Sequence, residues 1–154
     1  MRVRAVCCAI LSLAAACGGR NRPETAAEPN VQYLTPYGAP TRPFSPAVRV
    51  GNMLYLSGQI GVPSATASAV VAGGIEAETR QTMENIKDVL QRTGSSMDQV
   101  VKCTVMLADM REWDRMNVVY ASYFPKNKPA RSALGANGLA LGARVEIECW
   151  AAVA

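Results

Sequence analysis

The sequence predicts an α+β domain in which two helices pack on one face of a sheet. Three observations carry this expectation. Apolar periodicity alternates between the strand and helix repeats along residues 31–154, in the order β-β-α-β-α-β-β. Each helical segment has a single apolar stripe and needs one surface to cover. Hydrophobic residues make up 49% of the 154 residues and charged residues 18%, which supplies one core and excludes a disordered chain.

The elements follow in chain order. Tyr33 to Pro46 holds Pro36, Pro40, Pro43 and Pro46, so it reads as extended loop or edge strand. Arg49 to Ile60 reads as a hairpin turning at Gly51-Asn52, with Met53–Leu56 a short buried strand. Gly61 to Gly74 is small, polar and irregular. Glu76 to Thr93 is an amphipathic helix, with Thr79, Met83, Ile86, Leu90 and Thr93 at steps of three and four and Gly94 as its stop. Gln99 to Ala108 alternates, with Val101, Cys103, Val105 and Leu107 on one face and Lys102 and Thr104 on the other. Asp109 caps a second helix, with Glu112 at the capping-box position. Its stripe is Trp113, Met116, Tyr120 and Tyr123, and Pro125 closes it. Ala130–Leu134 is a strand, Gly135–Gly142 a loop, and Arg144–Val153 the last strand. That strand turns Val145, Ile147, Cys149 and Ala151 toward the helices and Glu146, Glu148 and Trp150 away from them. Paired carboxylates and a tryptophan on an open sheet face call for a partner surface, and self-association is the simplest.

The first thirty residues read as an address rather than a fold. Met1–Arg4 is a positive start, and Ala5–Ala16 is an uncharged apolar run too short to span a bilayer permanently. It ends in Ala14-Ala15-Ala16-Cys17, followed by Gly18-Gly19. This resembles a bacterial lipoprotein signal, which implies cleavage after residue 16, lipid on Cys17 and a protein anchored on the periplasmic or cell-surface side of a membrane. An ordinary signal peptide cut at an A-x-A site is the alternative; both export the protein. Residues 17–30 hold the lipidated cysteine and a flexible tether.

Charge and composition narrow the chemistry. The formal net charge is +4, and +2 once Arg2 and Arg4 leave with the signal, so a nucleic-acid surface is not expected. No histidine occurs, which excludes a Ser-His-Asp triad, a Cys-His pair and any His-ligated metal. No metal site is expected. Arg131, at the start of a strand between two loops, has the side chain best shaped to grip a carboxylate. Glu146 can orient or deprotonate a water. From spacing alone, a simple salt bridge from Arg131 to Glu146 or Glu148 stands as an equal alternative. Ser57-Gly58 reads as a turn or a place of close ligand approach, and Asn117 as a solvated or locally bonded helix residue.

Five stretches together carry a resemblance: Gly51–Gly61 (GNMLYLSGQIG), Thr79–Lys87 (TRQTMENIK), Val100–Met110 (VVKCTVMLADM), Pro129–Ser132 (PARS) and Val145–Glu148 (VEIE). Taken in this order over residues 31–154, they resemble the RidA/YjgF family. The resemblance implies a chorismate-mutase-like mixed sheet with two helices on one face, a homotrimer with ligand clefts between subunits, and no cofactor. It implies hydrolysis of reactive 2-imino acids or enamines to 2-oxo acids and ammonia.

By the same resemblance, Arg131 binds the substrate carboxylate and Glu146 positions the attacking water. Ser57 and Gly58 line the cleft, and Asn117 sits near its edge. Phe44 stands where an aromatic, often tyrosine, reaches in from a neighbouring subunit, and Ala133 where cysteine is frequent. The alternative is a non-catalytic, trimeric small-carboxylate-binding or interaction module, favoured by Phe44 and Ala133; Glu146 favours the enzyme. In the implied fold the last strand lies beside the strand carrying Cys103. Cys103 and Cys149 are then expected as two reduced core thiols, with a cross-strand disulfide as the alternative.

Overall fold

The computed structural model describes residues 30–39 and 41–153. The signal segment 1–16, Cys17 and nearly all of the tether lie outside them. Seven strands form one mixed sheet: β1 (Val31–Leu34), β2 (Ala47–Val50), β3 (Met53–Leu56), β4 (Gln59–Ile60), β5 (Val100–Leu107), β6 (Ala130–Gly135) and β7 (Val145–Ala152). The spatial order is β1-β2-β3-β7-β5-β6, with β4 also paired to β7. Only β5–β6 is parallel among the paired strands, with α2 (Trp113–Ser122) in its crossover. The α+β arrangement with two helices against one face is as the sequence predicts.

α1 (Gly74–Arg92) buries Thr79, Met83, Ile86 and Leu90 of the predicted stripe, while the fifth member, Thr93, is its half-buried C-cap. It packs with Leu54, Val105, Leu107, Met116, Ile147 and Ala151 into one core. Arg115 of α2 reaches Glu76 of α1 with two hydrogen bonds of 2.7 and 2.6 Å. Both side chains are substantially exposed, so solvent screens the pair and it adds little to stability.

Two irregularities in β7's pairings shape the sheet. Tyr55 pairs with Trp150, whereas Gln59 pairs with Ile147, so one extra residue is inserted at the Ser57-Gly58 break between β3 and β4. Such bulges re-aim side chains and are frequent beside functional sites. A second shift lies between Val100 and Lys102 of β5. It corrects the face expected for Val101, which is exposed while Val100 is buried in its place. A bulge is a property of the pairing and is invisible in a strand's own alternation.

Two further expectations are corrected. Asp109 accepts from the Arg111 backbone N–H and caps a 3-10 turn, Met110–Glu112, that leads into α2. Glu112 closes no capping box; its carboxylate takes a 2.7 Å hydrogen bond from Arg144. The arginine, a long-range partner, outcompetes the local one with a charge-assisted bond.

The cysteines are the second correction. Cys103 and Cys149 stand directly opposite on β5 and β7 and are joined in a disulfide, with Cα atoms 4.2 Å apart. The expected pair of free thiols fails on register, since an antiparallel non-hydrogen-bonded pair brings two Cα atoms to about 4.5 Å. The bond is fully buried under the helices. Closing a 46-residue separation, it stabilises the domain by about 4 kcal/mol through the unfolded chain. Denaturant unfolding of residues 31–154, oxidised against fully reduced, is expected to show a loss of that order. Free-thiol titration of the denatured, non-reduced domain is expected to find none.

The sheet face away from the helices is open. Tyr33, Val48, Tyr55, Trp150 and Lys102 form one row across it, partner to partner from β1 to β5. Tyr33 is 71% exposed, and the Tyr55 and Trp150 rings meet at a tilt with centroids 5.1 Å apart. This is the unpartnered face that the alternation of β7 predicts.

Candidate functional site

The residues expected at the site fall into two groups. Arg131 lies on β6, the edge of the sheet, and pairs in register with Cys103. Aligned partners point the same way, so Arg131 faces the helices. Its Nη1 donates a 2.7 Å hydrogen bond to Asn117 Oδ1 on α2. Its guanidinium carbon lies 5.1 Å from the Trp113 ring centroid and 4.8 Å from that of Tyr120. Ala133, two residues on, faces the same side and packs partly against the core.

Glu146 belongs to the other group. It pairs with Met106 of β5, three residues along from Cys103, and therefore points to the open face. Its carboxylate lies over Gly58, where a Cβ would meet Glu146 Oε1 at 2.0 Å. Gly58 thus leaves room for the Glu146 carboxylate at the bulge, which an added methyl would displace. Ser57 donates its hydroxyl to the Ser45 carbonyl at 2.7 Å and its backbone N–H to Pro46 at 3.0 Å. These bonds fasten the segment carrying Phe44, whose ring is 47% exposed.

The start of β7 is clamped as well. The Arg144 backbone N–H donates to Glu78 at 2.8 Å, and the Arg144 side chain donates to Glu112. Glu78 is buried, and Gly61 lies against its backbone. Two helices therefore fix the residue two positions before Glu146. Burial first, and the neighbouring Glu148 second, push the Glu146 carboxyl above its ordinary value. A carboxyl so placed holds a proton more readily than a solvated one, which suits an acid–base role.

Arg131 and Glu146 do not meet within one subunit. They lie on opposite faces, two strand spacings and three residues apart, or roughly 14 Å between Cα atoms. The alternative of a simple Arg131 salt bridge to Glu146 or Glu148 is not realised; among the described residues Arg131 forms no ion pair. Two concavities, one lined by Leu34, Arg49 and Arg92 and one by Tyr37, Gln59 and Asn85, contain neither residue. One subunit thus carries two half-sites: Arg131, Asn117 and Ala133 at the β6 edge, and Glu146, Gly58, Ser57 and Phe44 toward the open face.

Sequence reasoning missed Trp113 and Tyr120 as partners of Arg131 and read them as core stripe only. The signal was present: 113, 117 and 120 share one face of a helix. It also missed the inward turn of Glu78. No local pattern marks that residue, because its partner is 66 positions away.

A family model described as Endoribonuclease L-PSP matches residues 36–153. A RutC family protein of Pyrococcus horikoshii is 43% identical over 112 residues, spanning 73% of this chain and 88% of that protein. The human 2-iminobutanoate/2-iminopropanoate deaminase is 39% identical over 109 residues, 71% of this chain and 79% of that one. The crystal structure of RidA from an Antarctic Psychrobacter has a TM-score of 0.69 at 35% identity, covering 75% of this chain and 92% of that chain. With the fold, the motif order and the matched length in agreement, the chain belongs to the RidA/YjgF family, whose family model carries the description Endoribonuclease L-PSP.

Proposed function

We propose that this protein is a hydrolytic deaminase of small 2-imino acids and their enamine tautomers, acting as a homotrimer. Each catalytic cleft takes Arg131 from one subunit and Glu146 from the next. The observation that carries the reading is the division of the site: a carboxylate anchor at a sheet edge, and a base with a raised pKa toward an open face, which only a second copy can unite. Relatives named 2-iminobutanoate/2-iminopropanoate deaminase support the substrate class.

The chemistry needs no protein nucleophile. A protonated imine is already electrophilic at C2. Arg131 has five N–H donors and commits one to Asn117, which leaves a fork for the substrate carboxylate. Glu146 takes a proton from a water as its oxygen adds to C2, giving a carbinolamine. It then returns that proton to the amino nitrogen. The C–N bond breaks as the hydroxyl becomes the carbonyl, and the hydroxyl proton leaves with ammonia as ammonium. Holding the carboxylate, water and C2 in line supplies most of the acceleration.

The test is direct. An amino-acid oxidase generates 2-iminopropanoate in situ, and its decay is followed with and without the purified protein. Accelerated decay is expected. Binding of 2-oxobutanoate, a stable 2-oxo acid, without any acceleration would instead favour the non-catalytic module, toward which Phe44 and Ala133 point. Gly58→Ala is expected to lower kcat about 100-fold while the domain stays folded, because the added methyl displaces the Glu146 carboxylate. An unchanged rate in that variant would remove Glu146 from the reaction.

Export with a lipid on Cys17 belongs to the same proposal. The Cys103–Cys149 disulfide supports it, since such bonds persist in oxidising compartments. Cys17→Ser is expected to release the protein from membranes into the soluble fraction. A variant still held by the membrane would point to a retained signal segment.

A further inference from the structure

Among the described residues Arg131 has no counter-charge. Its neighbours are the faces of Trp113 and Tyr120 and the amide oxygen of Asn117, all from one side of α2. A buried or half-buried arginine is ordinarily paired with a carboxylate. Such a pair would fix the guanidinium, but it would also spend its fork and cancel its charge. A π face fixes the planar group by stacking and leaves its edge donors free. Tyr120 is itself 5% exposed, tilted against Phe124 with ring centroids 5.0 Å apart, and its hydroxyl has no partner among the described residues. Its contribution to Arg131 is therefore the ring and not the oxygen. Trp113 is the half-buried member, at the first turn of α2, where the Asp109 cap sets the helix entry.

We propose that Trp113 and Tyr120 are positioning residues for Arg131, forming a neutral cradle that aims the guanidinium fork and keeps its positive charge uncompensated for the substrate carboxylate. This rests on the deaminase reading above, but its binding half stands without turnover. The cradle acts on carboxylate recognition. Its loss weakens ground-state and transition-state binding equally, so KM rises and kcat holds. It also selects ligands with a free carboxylate, because an uncompensated arginine gains from an anion what a neutral analogue cannot supply.

The experiment uses the assembled protein and four variants: Trp113→Leu, Trp113→Met, Trp113→Phe and Tyr120→Phe. KM and kcat are measured with 2-iminopropanoate, and Kd with 2-oxobutanoate by calorimetry. Trp113→Leu is expected to raise KM and Kd roughly five- to tenfold with kcat within about twofold. Trp113→Phe recovers most of the loss, because a π face returns. Tyr120→Phe, which keeps the ring, is expected to change KM and Kd by less than Trp113→Leu does. Should Trp113→Leu fail to assemble, Trp113→Met, which keeps a long side chain without a π face, carries the same comparison. Unchanged KM and Kd on loss of the ring overturns the proposal, as does a fall in kcat at constant KM. A loss in Tyr120→Phe as large as that in Trp113→Leu would assign the effect to the hydroxyl and overturn it too. A parent protein that binds 2-oxobutanoate but hydrolyses no imine, with Kd still raised in Trp113→Leu, would sink the deaminase reading and leave the cradle standing. A parent that does neither overturns both.

Discussion

Arg131→Ala lowers kcat/KM for 2-iminopropanoate by about 100- to 1,000-fold and abolishes 2-oxobutanoate binding in parallel. The magnitude follows from the geometry. Among the described residues the guanidinium makes no ion pair, so its fork is open to a ligand rather than committed to the fold. Truncating one partner of a desolvated, hydrogen-bonded charge pair costs about 2–5 kcal/mol. The fold is expected to survive, because Arg131 sits on an edge strand and, among the described residues, its side chain donates one hydrogen bond, to Asn117. Size-exclusion chromatography and thermal unfolding check that point. A variant with parental kcat/KM and unchanged assembly would remove Arg131 from the site.

Glu146→Gln has a different signature. The amide keeps the shape of the side chain over Gly58 and cannot take a proton. Turnover falls about 100- to 10,000-fold while the Kd for 2-oxobutanoate stays within about twofold. An equal loss of binding would recast Glu146 as a residue that orients the neighbouring arginine. The pH profile gives a second reading of the same group. The base form is the active one, so activity falls as pH drops through the Glu146 pKa, which burial and Glu148 hold above the ordinary carboxylate value. Glu148→Gln removes the lesser of those two causes. The acid limb of kcat/KM then moves to lower pH, part of the way toward an ordinary glutamate. An acid limb that does not move leaves the base unassigned.

The parts of this molecule legible in its sequence are those fixed by local period. The stripe of α1 named Thr79, Met83, Ile86, Leu90 and Thr93; the first four are buried and Thr93 is the half-buried C-cap. The alternation of β7 separated Val145, Ile147, Cys149 and Ala151 from Glu146, Glu148 and Trp150, and the structure keeps that division. What escaped is set by pairing between distant strands. The bulge at Val101 reversed one residue's face, the bulge at Ser57-Gly58 opened room for Glu146, and the register of β5 on β7 put Cys103 opposite Cys149. Strand alternation carries no information about a partner's register. The site shows the same boundary. Arg131, Glu146, Ser57, Gly58 and Asn117 were named from residue chemistry and motif order. Their division between two faces depends on the parallel β5–β6 pairing, which only the assembled sheet reveals.

That division gives the central claim its sharpest test. Arg131→Ala and Glu146→Gln subunits, each inactive alone, are co-expressed in equal amounts, and the unfractionated mixture of trimers is assayed. If every cleft takes its arginine from one subunit and its glutamate from the next, random equal mixing leaves about one cleft in four with both parental residues. The account predicts recovery of about a quarter of the parental activity per subunit in the unfractionated mixture, and none in either homotrimer. Mixed trimers as inactive as the two parents from which they were built would contradict it, because Arg131 and Glu146 would then have to act within a single chain.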